Sequence, residues 1–220
     1  VALTSDQIDK LTATQVGAMS ATQVKAIESD DLALMTDNQV AAFSTAAVAN
    51  MTTDQVAALA SNQVAALTTA QVKSLTTAQM VSLTTSQIDK LTTAQLSALG
   101  TAQVAAMETQ DFAKLTTEQV ASFSATQFKA LKTSQIESLT TDQAKALTTS
   151  QLAALSTAQM KAVETQDLAA MSTTQMRAIS SANIAAMSTT QINNMTTDQV
   201  AALSNSQMQA LTTAQVAGMS

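Results

Sequence analysis

The chain has 220 residues, a net charge of −6 at pH 7 and only 12% charged residues, so it lacks the basic surface that nucleic-acid binding requires. It contains neither His nor Cys, which excludes disulfides, the usual zinc sites and histidine-based catalysis. No apolar run approaches the roughly 18–20 residues of a membrane span. We therefore expect no nucleic-acid partner, no membrane insertion and no enzymatic activity.

One eight-residue motif, here called the octad, repeats without a gap from Leu3 to the end of the chain. Position 1 is the apolar residue found at every eighth place from Leu3 to Met219, and position 6 is the apolar residue at every eighth place from Ile8 to Val216. The consensus is L-T-T-x-Q-V-A-A, with Thr or Ser usual at position 2 and Gln at position 5. Because neither linker nor composition shift interrupts it, we expect a single array over residues 1–220, as a segment of a longer one.

The period excludes some architectures. Eight residues of a continuous α-helix turn about 80° past two full turns, so the apolar stripe would circle the helix and a long coiled coil is rejected. A β-solenoid is the alternative, since Thr and Val favour strands. However, positions 1 and 6 are five residues apart and would lie on opposite faces of a strand, which disfavours a β-solenoid.

Short helices explain every position of the octad. A Thr or Ser at position 2 can cap a helix, and the Gln three residues later completes a capping box. Positions 1 and 6 then form the hydrophobic staple pair. The fold prediction is an all-α solenoid, a superhelix of helices of about six residues, one per octad. Helices this short need neighbours to bury positions 1 and 6.

Position 5 is the most regular polar position. It is Gln in every octad except at Asp31, Ala47, Asp111, Asp167 and Asn183. Glu never occupies it, although a simple capping box accepts Glu, so a glutamine ladder between coils is a second interpretation. In the three Asp octads position 2 is Glu, which occurs there nowhere else. This exchange indicates two side chains that share one local hydrogen-bonded space.

Other polar and sulfur-containing residues receive structural interpretations. The acidic cluster of Glu28, Asp30 and Asp31 lacks the Gly-containing loop of a calcium site, so solvated or capping roles are expected. All twelve Met lie at positions 1 and 6 and are interpreted as core residues. No catalytic, cofactor-binding or metal-binding residue is predicted, no cofactor is expected, and the residues of any binding site stay unknown.

The segment Leu67–Gln79, LTTAQVKSLTTAQ, resembles the L-T-T-x-Q repeat tracts of very large bacterial secreted or surface proteins. The resemblance covers the whole chain. It implies an extracellular or cell-surface stalk, adhesin or filament region. Val1–Thr4 shows no signal-peptide pattern.

Two functions follow from these observations. The first is a structural scaffold, a stalk, spacer or filament-forming region that associates with itself. The apolar surfaces at Val1-Ala2 and Met219 are expected to match end to end. The alternative is a ligand- or surface-binding module that uses the exposed positions 4 and 7.

Overall fold

A computed structural model of the chain describes residues 4–219, which form short α-helices and contain no β-strand. The chain divides into two compact units, Val1–Lys114 and Leu115–Ser220. Residues 1–3 and 220 are not described. The octad itself continues in the sequence through both units. The predicted all-α superhelix of short helices is confirmed in each unit.

The first unit contains fourteen helices among its described residues: α1 Ser5–Asp9, α2 Ala13–Gly17, α3 Ala21–Lys25, α4 Ser29–Leu34, α5 Asp37–Ala41, α6 Thr45–Asn50, α7 Thr53–Ala58, α8 Ser61–Ala66, α9 Thr69–Ser74, α10 Thr77–Ser82, α11 Thr85–Asp89, α12 Thr93–Ala98, α13 Thr101–Ala106 and α14 Thr109–Lys114.

The second unit contains thirteen helices among its described residues: α15 Thr117–Ala121, α16 Ala125–Lys129, α17 Thr133–Glu137, α18 Thr141–Ala146, α19 Thr149–Ala154, α20 Thr157–Ala162, α21 Thr165–Ala170, α22 Thr173–Ala178, α23 Ser181–Ala186, α24 Thr189–Asn193, α25 Thr197–Ala201, α26 Asn205–Ala210 and α27 Thr213–Gly218.

The breaks between helices need neither Gly nor Pro. At the α8–α9 junction, Leu67 at position 1 has φ −57° and ψ 140°, and Thr68 at position 2 has φ −67° and ψ 157°. Both are ordinary extended conformations, and no described residue has a positive φ. Two extended residues thus redirect the chain, and the Thr68 hydroxyl then accepts the N–H of Gln71 to start the next helix.

The superhelix is set by contacts three helices apart. Within each unit, every helix from α1 to α11, or from α15 to α24, packs on the helix three places later in the chain. Glutamine hydrogen bonds, described below, reach the junction between the helices four and three places earlier. One superhelical turn therefore contains between three and four octads, a number that the sequence did not predict.

Positions 1 and 6 form the core, as predicted. Position 6 is buried from Ile8 to Ile192 and position 1 from Ile27 to Met195. Each such side chain contributes about 1.5–3 kcal/mol on burial. The prediction is wrong for Met208 and Val216, which are 44% and 55% exposed, because no later turn among residues 4–219 covers them.

Candidate functional site

The most regular polar structure is the glutamine column, the set of position-5 side chains. At α12, the Gln95 Oε1 accepts the backbone N–H of Thr92 at 2.8 Å, and the Thr92 hydroxyl accepts the backbone N–H of Gln95 at 3.2 Å. These two bonds are a complete capping box. The predicted hydroxyl cap at position 2 and its glutamine partner are confirmed together at 19 of the 27 described helices.

The same glutamine also binds the preceding superhelical turn through its amide nitrogen. Gln95 Nε2 donates to the carbonyl oxygens of Val64 at 3.0 Å, Ala65 at 3.2 Å and Leu67 at 2.7 Å. These carbonyls belong to positions 6 and 7 of one octad and position 1 of the next. We call such a set of three oxygens a carbonyl cup.

The cup recurs in both units. Gln39 Nε2 donates to the cup formed by the Ile8, Asp9 and Leu11 carbonyls. Gln159 Nε2 donates to the cup formed by Phe128, Lys129 and Leu131. These carbonyls lie at the C-terminal end of a short helix, where the regular helical bonds stop. The position-6 oxygen still accepts one backbone N–H, as Phe128 does from Leu131 at 3.2 Å. The glutamine therefore caps its own helix at the N-terminus and an earlier helix at the C-terminus.

Both interpretations of the column are thus correct in part. The capping box is present, and a ladder between turns exists, although it joins side chains to backbone and not glutamine to glutamine. Gln95 is only 2% exposed. Glutamate could replace the Oε1 acceptor but not the Nε2 donor, which explains its absence from the column.

Several octads depart from this pattern. At Ala60, Gly100 and Lys132, position 2 has no hydroxyl and only the half of the box made by glutamine remains. Asn183 is shorter than glutamine but still donates its Nδ2 to the Leu155 carbonyl at 2.9 Å. A side chain of this length therefore reaches the cup oxygen contributed by position 1.

The three Asp octads form a separate class. Asp31, Asp111 and Asp167 are all buried. Asp111 accepts the Thr85 hydroxyl at 2.5 Å and Asp167 accepts the Thr141 hydroxyl at 2.8 Å, in each case from the helix three places earlier. One oxygen of Asp167, Oδ2, is buried and has no hydrogen-bond partner.

The glutamates of these octads do not share a hydrogen bond with the aspartates, so that hypothesis is wrong. Glu164 Oε2 instead accepts the Gln166 amide at 2.7 Å, and Glu164 makes no side-chain cap. Its negative charge still acts on Asp167. Burial is the main cause that raises the pKa of Asp167, the Thr141 hydroxyl lowers it, and Glu164 raises it further.

Asp111 has the same electrostatics. Burial raises the pKa of Asp111, the hydroxyl of Thr85 opposes that change, and the charge of Glu108 adds to it. In both octads the ionised carboxylate is thus disfavoured by its surroundings.

The ion pairs among residues 4–219 are few and lie in solvent. Lys10 binds Asp9 at 2.6 Å and Lys145 binds Asp142 at 3.2 Å, all four side chains lying in solvent. Within residues 4–219, no three Asp or Glu residues group together as a metal site would require. In the acidic cluster, Glu28 and Asp30 are exposed while Asp31 is buried.

The first and last turns expose different groups. Gln7, Gln15 and Gln23 are exposed, and their Nε2 atoms donate no hydrogen bond to any residue in the range 4–219. Near the other end, an apolar groove of about 470 Å³ is lined by Ile192, Met195, Leu203, Met208 and Met219 among others. The predicted end at Val1-Ala2 lies outside the described residues, whereas Met219 is 36% exposed.

Comparison with known families identifies the repeat. A family model described as the ALTTAQ repeat matches residues 24–61, 56–93, 77–107, 104–141, 126–157 and 160–197. The six letters of its name occur unchanged at residues 66–71. No curated protein matches the chain. None of the described helices has the length and hydropathy needed to cross a membrane.

Proposed function

The chain belongs to the ALTTAQ repeat family, and from this premise we propose that it is a non-catalytic structural scaffold, a spacer or stalk that works outside the cell. The observation that supports this proposal is the glutamine column. Most octads are tied to an earlier turn by the same amide–carbonyl bonds, such as Gln95 to Leu67 at 2.7 Å. An array held by identical neighbour contacts can transmit force along its length.

Pulling on single molecules tests the mechanical part of this proposal. We expect the chain to release and recover extension in small reversible steps, each a multiple of about 26–29 Å, the extended length of eight residues. Gln95→Glu should lower the force at which one step occurs, since it removes the inter-turn donor. A single irreversible release of the whole chain would contradict an elastic spacer.

The proposed location is tested on cells that produce the protein. Antibody against the octad should label intact cells as strongly as permeabilised ones. Labelling that requires permeabilisation would refute an extracellular scaffold.

We also propose that the chain associates with itself end to end. The exposed Nε2 donors of Gln7, Gln15 and Gln23 complement the carbonyl and apolar surface around Met208 and Val216. In interior turns, glutamine amides of this kind bind carbonyls of this kind. Contact between unlike ends is heterologous and open, so it extends indefinitely.

Light scattering over a concentration series tests this association. The expected result is a mass that rises with concentration and a smaller rise for Gln15→Glu/Gln23→Glu. This double variant keeps the capping oxygens and removes two exposed donors, so circular dichroism should be unchanged. A wild-type chain that stays monomeric at every concentration would overturn the proposal.

A further inference from the structure

The carbonyl cup has the geometry of a cation site. In a typical octad three backbone oxygens converge on one point, as around Gln159 Nε2, where the distances are 3.1, 3.2 and 2.8 Å. The amide fills this point with two polar hydrogens. Oxygen atoms that converge without a donor between them bind a hard cation instead, and backbone carbonyls are common calcium ligands.

At Asp167 the amide is missing from the cup. By the spacing that holds in the other octads, its cup consists of the carbonyls of Ile136, Glu137 and Leu139. The Leu139 oxygen accepts no hydrogen bond from any residue in the range 4–219. In most other octads the equivalent oxygen makes the shortest contact with the glutamine, as that of Leu131 does at 2.8 Å.

The carboxylate of Asp167 keeps one oxygen without a hydrogen-bond partner. Its Oδ1 is held by the Thr141 hydroxyl at 2.8 Å, while Oδ2 is buried without a partner. Asn183, a side chain of the same shape at the same octad position, places its Nδ2 2.9 Å from the equivalent carbonyl of Leu155. By this equivalence we expect Oδ2 of Asp167 to lie near the Leu139 oxygen, so that two acceptors have no donor between them.

We propose that Asp167 and its cup bind a calcium ion. Oδ2 and the cup carbonyls supply the protein oxygens, and water completes the six to eight that calcium takes. The nearby charge of Glu164 favours a divalent cation. The ammonium of Lys145, on the packed helix α18, is held by Asp142 at 3.2 Å and does not serve Asp167.

The ion restores the link between turns that the amide makes elsewhere. It joins α21 to the junction of α17 and α18, and it neutralises a buried carboxylate. Magnesium fits less well, because it requires octahedral ligands at about 2.0–2.1 Å and keeps most of its water. Asp111 is a second candidate in the first unit, where the same spacing gives a cup of the Met80, Val81 and Leu83 carbonyls. Among residues 4–219, however, only Asp167 has a buried side-chain oxygen without a partner. This role adds a ligand to the scaffold and does not depend on where the scaffold works.

Calorimetric titration of the whole chain with calcium chloride, after chelator treatment and dialysis, tests the site. We expect saturable binding with Kd about 0.1–1 mM, the range of weak extracellular calcium modules, and a melting temperature that rises with calcium. Asp167→Asn should remove one bound calcium per chain, and Asp111→Asn/Asp167→Asn should remove two. Both variants keep a side chain that the column already accepts at Asn183, so they fold.

The matched control is Asp198→Asn, which removes an exposed acid on helix α25 of the same unit and should leave the stoichiometry unchanged. Equal concentrations of magnesium chloride and sodium chloride of matched ionic strength should not reproduce the shift in melting temperature. The proposal is overturned if calcium does not bind, if magnesium gives the same response, or if Asp111→Asn/Asp167→Asn binds as much calcium as wild type.

Discussion

Replacement of a column glutamine by glutamate separates the two functions of the side chain. Gln95 and Gln15 have the same local cap, with the Thr92 and Thr12 N–H both 2.8 Å from Oε1. Glutamate retains that acceptor at both sites. Only Gln95 donates its Nε2 to an earlier turn. The pair Gln95→Glu and Gln15→Glu therefore measures the inter-turn contact with the cap held constant.

The magnitude follows from the burial of Gln95. An ionised carboxylate introduced there by Gln95→Glu would face three carbonyl oxygens, so the folded state would hold it protonated. Keeping it protonated at pH 7, above an ordinary pKa of about 4.3, costs about 1.4 kcal/mol per pH unit, or at most about 4 kcal/mol. The neutral acid still supplies one donor. We expect Gln95→Glu to cost about 2–4 kcal/mol and Gln15→Glu less than about 0.5 kcal/mol.

Urea denaturation of both variants at pH 7 and pH 4 measures this difference. Because burial raises the folded-state pKa of the new carboxyl, its cost is present at neutral pH. The cost declines as the pH falls below that pKa and disappears below the ordinary pKa of about 4.3. Hydrogen exchange of the amides around Leu67 reports whether only the contacted turn opens. Equal costs at the two sites, or a Gln95→Glu variant as stable as wild type at pH 7, would refute the inter-turn role.

Three further predictions concern the core, a buried aspartate and a missing cap. Val72→Asp and Leu75→Asp should each lower the free energy of unfolding in urea by more than about 3 kcal/mol, because a charge enters the core. The exposed Lys73→Asp should change it by less than about 0.5 kcal/mol. Equal effects at the three sites would refute the octad assignment. Burial raises the folded-state pKa of Asp111, so the free energy of unfolding in chelator-containing buffer should increase as the pH falls through that value. Asp111→Asn should remove this pH dependence. A variant with the pH profile of the wild type would contradict the prediction. Ala60→Thr should stabilise the protein by about 1 kcal/mol in thermal melts by supplying the missing cap acceptor for Gln63, and a destabilised variant would show that the hydroxyl does not fit.

The local structure could be predicted from the sequence because its determinants lie within one octad. Thr92 and Gln95 are three residues apart, and their side chains alone specify the cap. The partners of the Gln95 amide could not be predicted, since they are backbone oxygens that every residue has. Their positions depend on the angle between successive helices, which the extended residues at positions 1 and 2 set and which leaves no compositional signal.

The contacts of the aspartates could not be predicted from the sequence for the same reason. Thr141 and Asp167 are 26 residues apart, a spacing that has meaning only when the length of the superhelical turn is known. The exchange of Glu164 and Asp167 for the usual Thr and Gln was a correct signal that this octad differs. Its explanation as a local pair was wrong, because Asp167 bonds to another helix and Glu164 to Gln166.

The amide-to-carbonyl spacing also bears on how such a gene can change in length. Each column glutamine reaches carbonyls 28 and 31 residues earlier, as Gln95 reaches Leu67 and Val64. Duplication or loss of one whole octad moves every contact to a different octad but preserves the position within it, so donors still meet acceptors. Recombination in steps of whole octads is therefore structurally neutral where the octads are standard. It is costly where Asp111 or Asp167 would be separated from the hydroxyl 26 residues before it.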